Sequence, residues 1–122
     1  MARCPCRSGK TYKRCCRPWH QGALAPTPEA LMRSRYSAYA MGHIDHVLRT
    51  QTPVPPREQV EAFVRSTRFS RLVVEEARGD TVTFTATLEQ GGKDASFRER
   101  SRFEKVGGAW LYTTGERLGI EG

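Results

Sequence analysis

The sequence predicts an α+β fold: three N-terminal helices packed in a curved four-stranded antiparallel sheet, preceded by a small metal-bound segment. Three observations carry this. All four cysteines lie within the first sixteen residues, as Cys4-Pro5-Cys6, eight residues, then Cys15-Cys16. Apolar residues between Leu31 and Val64 recur at helical spacing, and from Phe69 the period drops to two. Turn signals at Arg78-Gly79-Asp80, Gly91-Gly92 and Gly107-Gly108 then divide the alternating half into strands. A sheet of this kind must bury one face, and the helices are what can cover it.

The cysteine head comes first. Thiolates are soft donors, and four of them around one ion make the closed tetrahedral site of structural zinc. Cys4 and Cys6 bring two sulfurs to one side, and an excursion that can turn at Gly9 returns Cys15 and Cys16 to the other. A segment this short cannot bury a hydrophobic core, so metal binding would itself fold it. The expected cofactor is one zinc ion, with iron not excluded. A disulfide pair or free thiols is the competing reading, although cysteines so close in sequence bridge awkwardly. His20 is a spare donor that could replace Cys16.

Residues 1–20 hold six basic side chains (Arg3, Arg7, Lys10, Lys13, Arg14 and Arg17) and no acid, whereas the rest of the chain is nearly neutral. Four thiolates on one zinc ion contribute about −2, so the loaded head keeps about +4. That field suits an acidic partner such as RNA, the ribosome surface or an acidic protein face. Lys10, Tyr12, Lys13, Arg14 and Trp19 are the candidate contact residues; a merely solvated basic loop is the alternative. No apolar run approaches the roughly 18 residues a membrane span needs. The N-terminus lacks the apolar stretch of a signal peptide, so a reduced, cytoplasmic setting is expected.

Trp19 to Pro26 reads as a linker. Thr27-Pro28-Glu29 starts a helix, with Thr as N-cap, Pro in the first turn and Glu near the positive end of the dipole. It should run to about Met41 and stop at Gly42. Leu31, Met32, Tyr36, Ala38, Tyr39 and Ala40 form its apolar arc, and Arg35 falls inside that arc. A second helix from about Ile44 to Thr50 turns Ile44, Val47, Leu48 and Gln51 inward and His46 outward, to the surface. After the prolines of 52–56, a third helix spans about Arg57 to Ser66. Strands follow at Leu72 to Ala77, Thr81 to Leu88, Ala95 to Val106 and Ala109 to Thr114. Val82, Phe84, Ala86 and Leu88 share one face of the second, with threonines on the other. In the third, Phe97, Glu99, Ser101 and Phe103 face inward, opposite Arg98, Arg100 and Arg102. Those arginines are either a solvated face or an extension of a phosphate-binding surface.

An inward Arg35 and an inward Glu99 should meet as a salt bridge, because a lone buried charge costs several kcal/mol. With Tyr36, Tyr39 and Trp110 they would line a ligand pocket, with Glu99 and Arg35 as candidate catalytic residues. The alternative is a structural clasp: a carboxylate neutralised by arginine is a poor general base, and no inward histidine or second carboxylate completes an acid–base set.

Two resemblances sharpen these readings. Cys4 to Cys16, CPCRSGKTYKRCC, resembles the SEC-C motif, the zinc-binding segment at the C-terminus of the protein-export ATPase SecA, whose pattern is similar to CPCGSGKKYKKCC. All four cysteines match, which implies the ligand role for Cys4, Cys6, Cys15 and Cys16; Arg7 stands where glycine is usual. The element order looks like the cystatin-like cone shared by ketosteroid isomerase and nuclear transport factor 2. Leu31 to Tyr39, LMRSRYSAY, and Glu99 to Phe103, ERSRF, resemble signature segments of the YchJ family, whose members join a SEC-C segment to such a cone. The expected division is therefore a SEC-C-like segment at 1–20 and a cone domain at 27–118. Many members carry a second SEC-C copy at the C-terminus; none is seen up to Gly122, so a single head is expected.

Two functions from different classes follow. The first is a metal-binding adaptor whose basic head docks on a macromolecule, the resemblance implying the ribosome or an export chaperone such as SecB. The second is a small-ligand binder, or a lyase- or isomerase-like enzyme, using the cone pocket around Arg35 and Glu99.

Overall fold

The computed structural model describes residues 2–119. Gly122, to which the expectation of a single head extends, lies outside them.

In the head, Arg3 bridges Thr11, Cys4 N–H donates to the Lys10 carbonyl at 2.9 Å, and Arg7 N–H donates to the Cys4 carbonyl at 3.1 Å. This knuckle folds Cys4 and Cys6 inward. Arg7 occupies the left-handed region with φ 64, which explains why the motif prefers glycine there; a side chain in that region costs about 1–2 kcal/mol. A 3-10 turn at Tyr12–Arg14 and the short helix α1, Arg17–His20, carry the chain past Cys15 and Cys16. The expected linker therefore needs correction: Trp19 and His20 are helical and half-buried.

Helix α2, Pro28–Met41, has the predicted ends. Thr27 Oγ1 accepts from Ala30 N–H at 3.1 Å, and Gly42, at φ 80, closes the C-terminus. Helices α3, Ile44–Arg49, and α4, Arg57–Ser66, pack on it through Ala38, Val47 and Val60. No helix among the described residues is long and apolar enough to cross a membrane.

The strands are β1, Thr67–Arg78; β2, Thr81–Gln90; β3, Lys93–Asp94; β4, Phe97–Val106; and β5, Ala109–Leu118. The sheet runs β1-β2-β4-β5, antiparallel throughout, with the two-residue β3 pairing β2 as a fifth strand that periodicity did not resolve. Register shifts in β1, between Phe69 and Arg71 and between Val74 and Glu76, bend the sheet, as does one where β5 passes Phe103 of β4. The resulting curve wraps α2. Thr83, expected outside, is buried between the long cross-strand neighbours Glu76 and Arg100.

The main core joins Leu31, Met32 and Tyr36 of α2 to Leu72, Val82, Phe84, Leu88 and Phe103 of the sheet, and it includes Cys4, Cys6 and Cys16. Head and cone thus share one core. On the convex side Arg98 pairs with Glu75 at 2.9 Å, Arg100 with Glu116 at 3.2 Å and Arg102 with Asp80 at 3.3 Å. Each of these arginines thus has one of the cone's own carboxylates beside it on the exposed face.

Candidate metal centre and cone cavity

The knuckle and α1 bring the four Sγ atoms within 4.8 Å of one another. Cys6 and Cys15 lie 3.5 Å apart and Cys15 and Cys16 3.8 Å, all four as free thiols. Sulfurs about 2.3 Å from a tetrahedral zinc ion stand about 3.8 Å from each other, so the spacing fits a metal ion and is far too long for disulfides. Ser8 Oγ, 3.1 Å from Cys15 Sγ, and Arg33 Nη1, which donates to the Cys6 carbonyl at 2.8 Å, orient the loop from outside the cluster.

Four packed thiols cannot all ionise without a cation. The Cys6 thiol is held well below its ordinary value by hydrogen bonds from Cys16 and then Cys4. Cys16 is driven far up by its contacts with Cys4 and Cys6 and by burial. Cys4 is pulled down by Cys16, but Cys6 and burial outweigh this and push it up to about 11. A divalent ion reverses that balance by drawing charge from every sulfur, so uptake would release protons.

All three histidines meet where the head joins the cone. The His20 ring centroid is 4.8 Å from that of His43 and 4.8 Å from that of His46. His20 Nδ1 accepts from Tyr12 Oη at 2.7 Å, and its Nε2–H donates to the Ser34 carbonyl at 2.8 Å, so it is fully engaged away from the sulfurs. His46 corrects the expectation of a surface residue: it is 3% exposed. Its Nε2–H donates to Ser34 Oγ, itself donating to the Leu31 carbonyl, and its Nδ1 accepts from Arg49 Nη2 at 3.0 Å. That arrangement suits only the neutral ring; burial first, then the nearby His20 and Arg49, lower its pKa to about 3. Arg49 also donates to the carbonyls of Trp19 and His20, each at 3.0 Å, tying α3 to the head.

Inside the cone a cavity of about 270 Å³ remains open. Arg35, Tyr36, Tyr39 and Glu99 line it as expected. Trp110 does not; it lies with Trp19 and Leu111 around a separate void of about 70 Å³. The expected Arg35–Glu99 salt bridge is also absent among the described residues. Arg35 instead donates from Nη1 to the Val47 carbonyl at 3.0 Å and Thr50 Oγ1 at 2.9 Å, and from Nη2 to Gln51 Oε1 at 2.8 Å. Its guanidinium stands 4.8 Å from the centroid of the Tyr112 ring. Glu99 accepts from Ser101 Oγ at 2.6 Å, Tyr112 Oη at 3.1 Å and Arg117 Nε at 3.2 Å. Burial, and then Glu99, raise the Tyr112 phenol to about 12, so it stays a donor.

With its oxygens held by three donors, Glu99 is poorly placed to take a proton from a substrate. No histidine, cysteine or second carboxylate lines the cavity among the described residues; its polar groups are Arg35, Arg117, Glu99, Gln51, Ser101 and the tyrosine hydroxyls. Residues unforeseen there include Arg117, on a strand that runs past its expected end, and Gly115. A Cβ on Gly115 would sit 2.2 Å from Glu99 Oε2 and 2.7 Å from Tyr112 Oη, so glycine is what leaves room for the carboxylate. The glycine inside an alternating strand was the available signal for that close approach.

Comparison with known proteins agrees with this anatomy. Residues 27–115 match the model of the YchJ middle NTF2-like domain, and residues 2–18 that of the SEC-C motif. A UPF0225 protein of Deinococcus radiodurans is 46% identical over 113 residues, covering 89% of this chain and 85% of its own. One from Streptomyces coelicolor is 42% identical over 118 residues, covering 94% and 95%. The solution structure of a SEC-C motif containing protein from Rhodopseudomonas palustris matches at 37% identity with a TM-score of 0.84, over 95% of this chain and 98% of that one. A SEC-C motif containing protein from Psychrobacter arcticus shares the fold at a TM-score of 0.75 and 20% identity, over 98% and 84%. A SEC-C head built into the core of an NTF2-like cone, matched along nearly the whole chain, makes this protein a member of the YchJ family, UPF0225.

Proposed function

We propose that the chain is a zinc-binding adaptor whose basic head, fixed on the cone, docks on an acidic macromolecular surface such as ribosomal RNA or an export chaperone. One contrast supports this reading. Arg3, Arg7, Lys10, Lys13, Arg14 and Arg17 are all exposed, with no acid in their segment and no carboxylate partner among the described residues. The cone's cations, by contrast, are interspersed with the chain's carboxylates, which begin at Glu29, and Arg98, Arg100 and Arg102 are each paired. Unpaired like charges on a rigid platform favour an outside counter-charge. Zinc supplies the platform: Cys4, Cys6, Cys15 and Cys16 would hold it, and it would fix the loop from which Lys10, Lys13 and Arg14 project. Tyr12 and Trp19 are half-buried in the joint, so contact falls mainly to the cations. Free thiols of this kind suit a reducing compartment such as the cytoplasm.

Pull-down with intact protein, Cys15→Ser/Cys16→Ser and Lys10→Glu/Lys13→Glu/Arg14→Glu tests the reading. Both variants should lose the partner, and wild-type affinity should fall steeply with salt. Equal recovery by all three proteins contradicts it.

A second reading rests on the open cavity: the cone binds a small molecule. It is compatible with the first, since the cavity and the exposed cations are separate sites.

A further inference from the structure

We propose that the cone cavity takes a small monocarboxylate with an apolar, ring-sized body, its anionic end on Arg35 and its body among the aromatic rings. This rests on the reading of the cavity as a small-molecule site and names the chemistry that site selects.

The charges lining the cavity set the ligand's charge. Arg35 is 7% exposed, and its three hydrogen bonds all go to neutral acceptors: a carbonyl, a hydroxyl and an amide oxygen. A guanidinium has five N–H donors and keeps its charge in proteins, so donors remain for an anion. No carboxylate of the described residues lies within 4.0 Å of it, and a buried cation without a counter-ion is costly. Glu99 is already matched by Arg117 at 3.2 Å and by the Ser101 and Tyr112 hydroxyls. Arg35, Arg117 and Glu99 together therefore leave one positive charge unbalanced. A neutral ligand leaves Arg35 uncompensated, and a dianion sets a second negative charge near Glu99 with no cation to meet it. Carboxylate geometry also suits the planar fork of arginine.

The walls and volume set the rest. Tyr36, Phe63, Phe69 and Phe84 line the cavity, together with Tyr39, whose ring centroid stands 6.0 Å from the Arg35 guanidinium, and Phe97, covered by the Arg117 guanidinium at 3.8 Å. Tyr39, Phe63 and Phe69 already contact one another edge-on or stacked, with centroids 5.5–6.0 Å apart, the arrangement that accepts another ring or a short alkyl chain. At the packing density of protein interiors, about 270 Å³ holds roughly eleven non-hydrogen atoms.

The probes are 3-phenylpropionate, which is of that size, and its neutral amide, 3-phenylpropanamide. Each is titrated into the full-length zinc-loaded protein and followed by amide chemical shifts. The acid should bind at least about tenfold tighter than the amide, with shifts at Arg35, Gln51 and Tyr112. Glu99→Gln removes a nearby negative charge and should raise the acid-to-amide ratio further. Arg35→Gln should abolish the preference; if that variant does not fold, the Glu99→Gln ratio decides alone. Equal affinities for acid and amide, unmoved by Glu99→Gln, overturn the charge assignment and leave the cavity a binder of neutral molecules. Failure of both probes to bind at millimolar concentration overturns the small-molecule reading itself.

Discussion

His46→Gln tests the joint between head and cone. In the folded chain His46 is enclosed, donates to Ser34 Oγ at 2.8 Å and accepts from the Arg49 guanidinium at 3.0 Å, so a proton on Nδ1 would face a cation at hydrogen-bond distance. Its pKa is about 3, against an ordinary value near 6.5 in an unfolded chain. Above pH 6.5 both states are neutral, and the contribution to stability is complete. As the pH falls below 6.5 the unfolded chain takes up a proton that the folded chain refuses. Stability then drops by about 1.4 kcal/mol per pH unit until the folded ring titrates near pH 3. Between pH 6.5 and pH 5 the loss from this residue is about 2 kcal/mol. Gln places its amide where Nε2–H was and cannot titrate. Urea unfolding of both zinc-loaded proteins from pH 7.5 to pH 5 should show the variant less stable at pH 7.5, by about 1–2 kcal/mol for the lost packing and Arg49 contact, but with the shallower slope. Both proteins carry the same cysteines, so the pH dependence of metal binding cancels. Parallel slopes would refute the buried, neutral histidine.

Two further substitutions probe the cavity and the joint. Gly115→Ala places a methyl 2.2 Å from Glu99 Oε2, forcing the carboxylate off Tyr112 and Ser101, and should cost about 1–3 kcal/mol in denaturant unfolding; a neutral result would mean Glu99 has room to spare. Arg33→Ala removes the 2.8 Å donation to the Cys6 carbonyl and the 3.0 Å pairing with Glu29. It should cost about 1–2 kcal/mol and speed zinc loss to a chelator, followed with a colorimetric zinc indicator; unchanged release would show that the loop is held without it.

What could be read in the sequence was what depends on local periodicity and chemistry. The ends of α2 follow from Thr27, Pro28 and Gly42. Period-two alternation placed Glu99, Ser101 and Phe103 on the buried face, and the bulge nearby falls on β5, leaving the parity of β4 intact. The cysteine spacing and its resemblance to SEC-C assembled the sulfurs in advance. What failed were inferences from shared face to contact. Arg35 and Glu99 do face one cavity, but Arg35 is drawn to the carbonyl and side chains that end α3, and Glu99 is taken by Arg117 on a longer β5. His46 failed because the six-residue α3 is covered on two sides, Val47 against the cone and His46 against Ser34 and His20, leaving Asp45 and Arg49 exposed, and periodicity cannot register the second cover. Trp110 shares its side of β5 with Tyr112, yet sits about 7 Å nearer the strand start, beyond the cavity and beside Trp19 of the head. Nothing in the sequence showed that head and cone share a core.

The central claim is that a metal ion holds residues 3–20 in place on a cone that stands without it. Amide hydrogen exchange measured on the reduced protein, zinc-loaded and after chelation, tests it most directly. The account predicts one zinc per chain, with protection at Cys4, Cys6, Tyr12, Cys15 and Cys16 collapsing on chelation while that of β2 and β4 survives. Undiminished protection of those head amides in the reduced, zinc-free protein would contradict it.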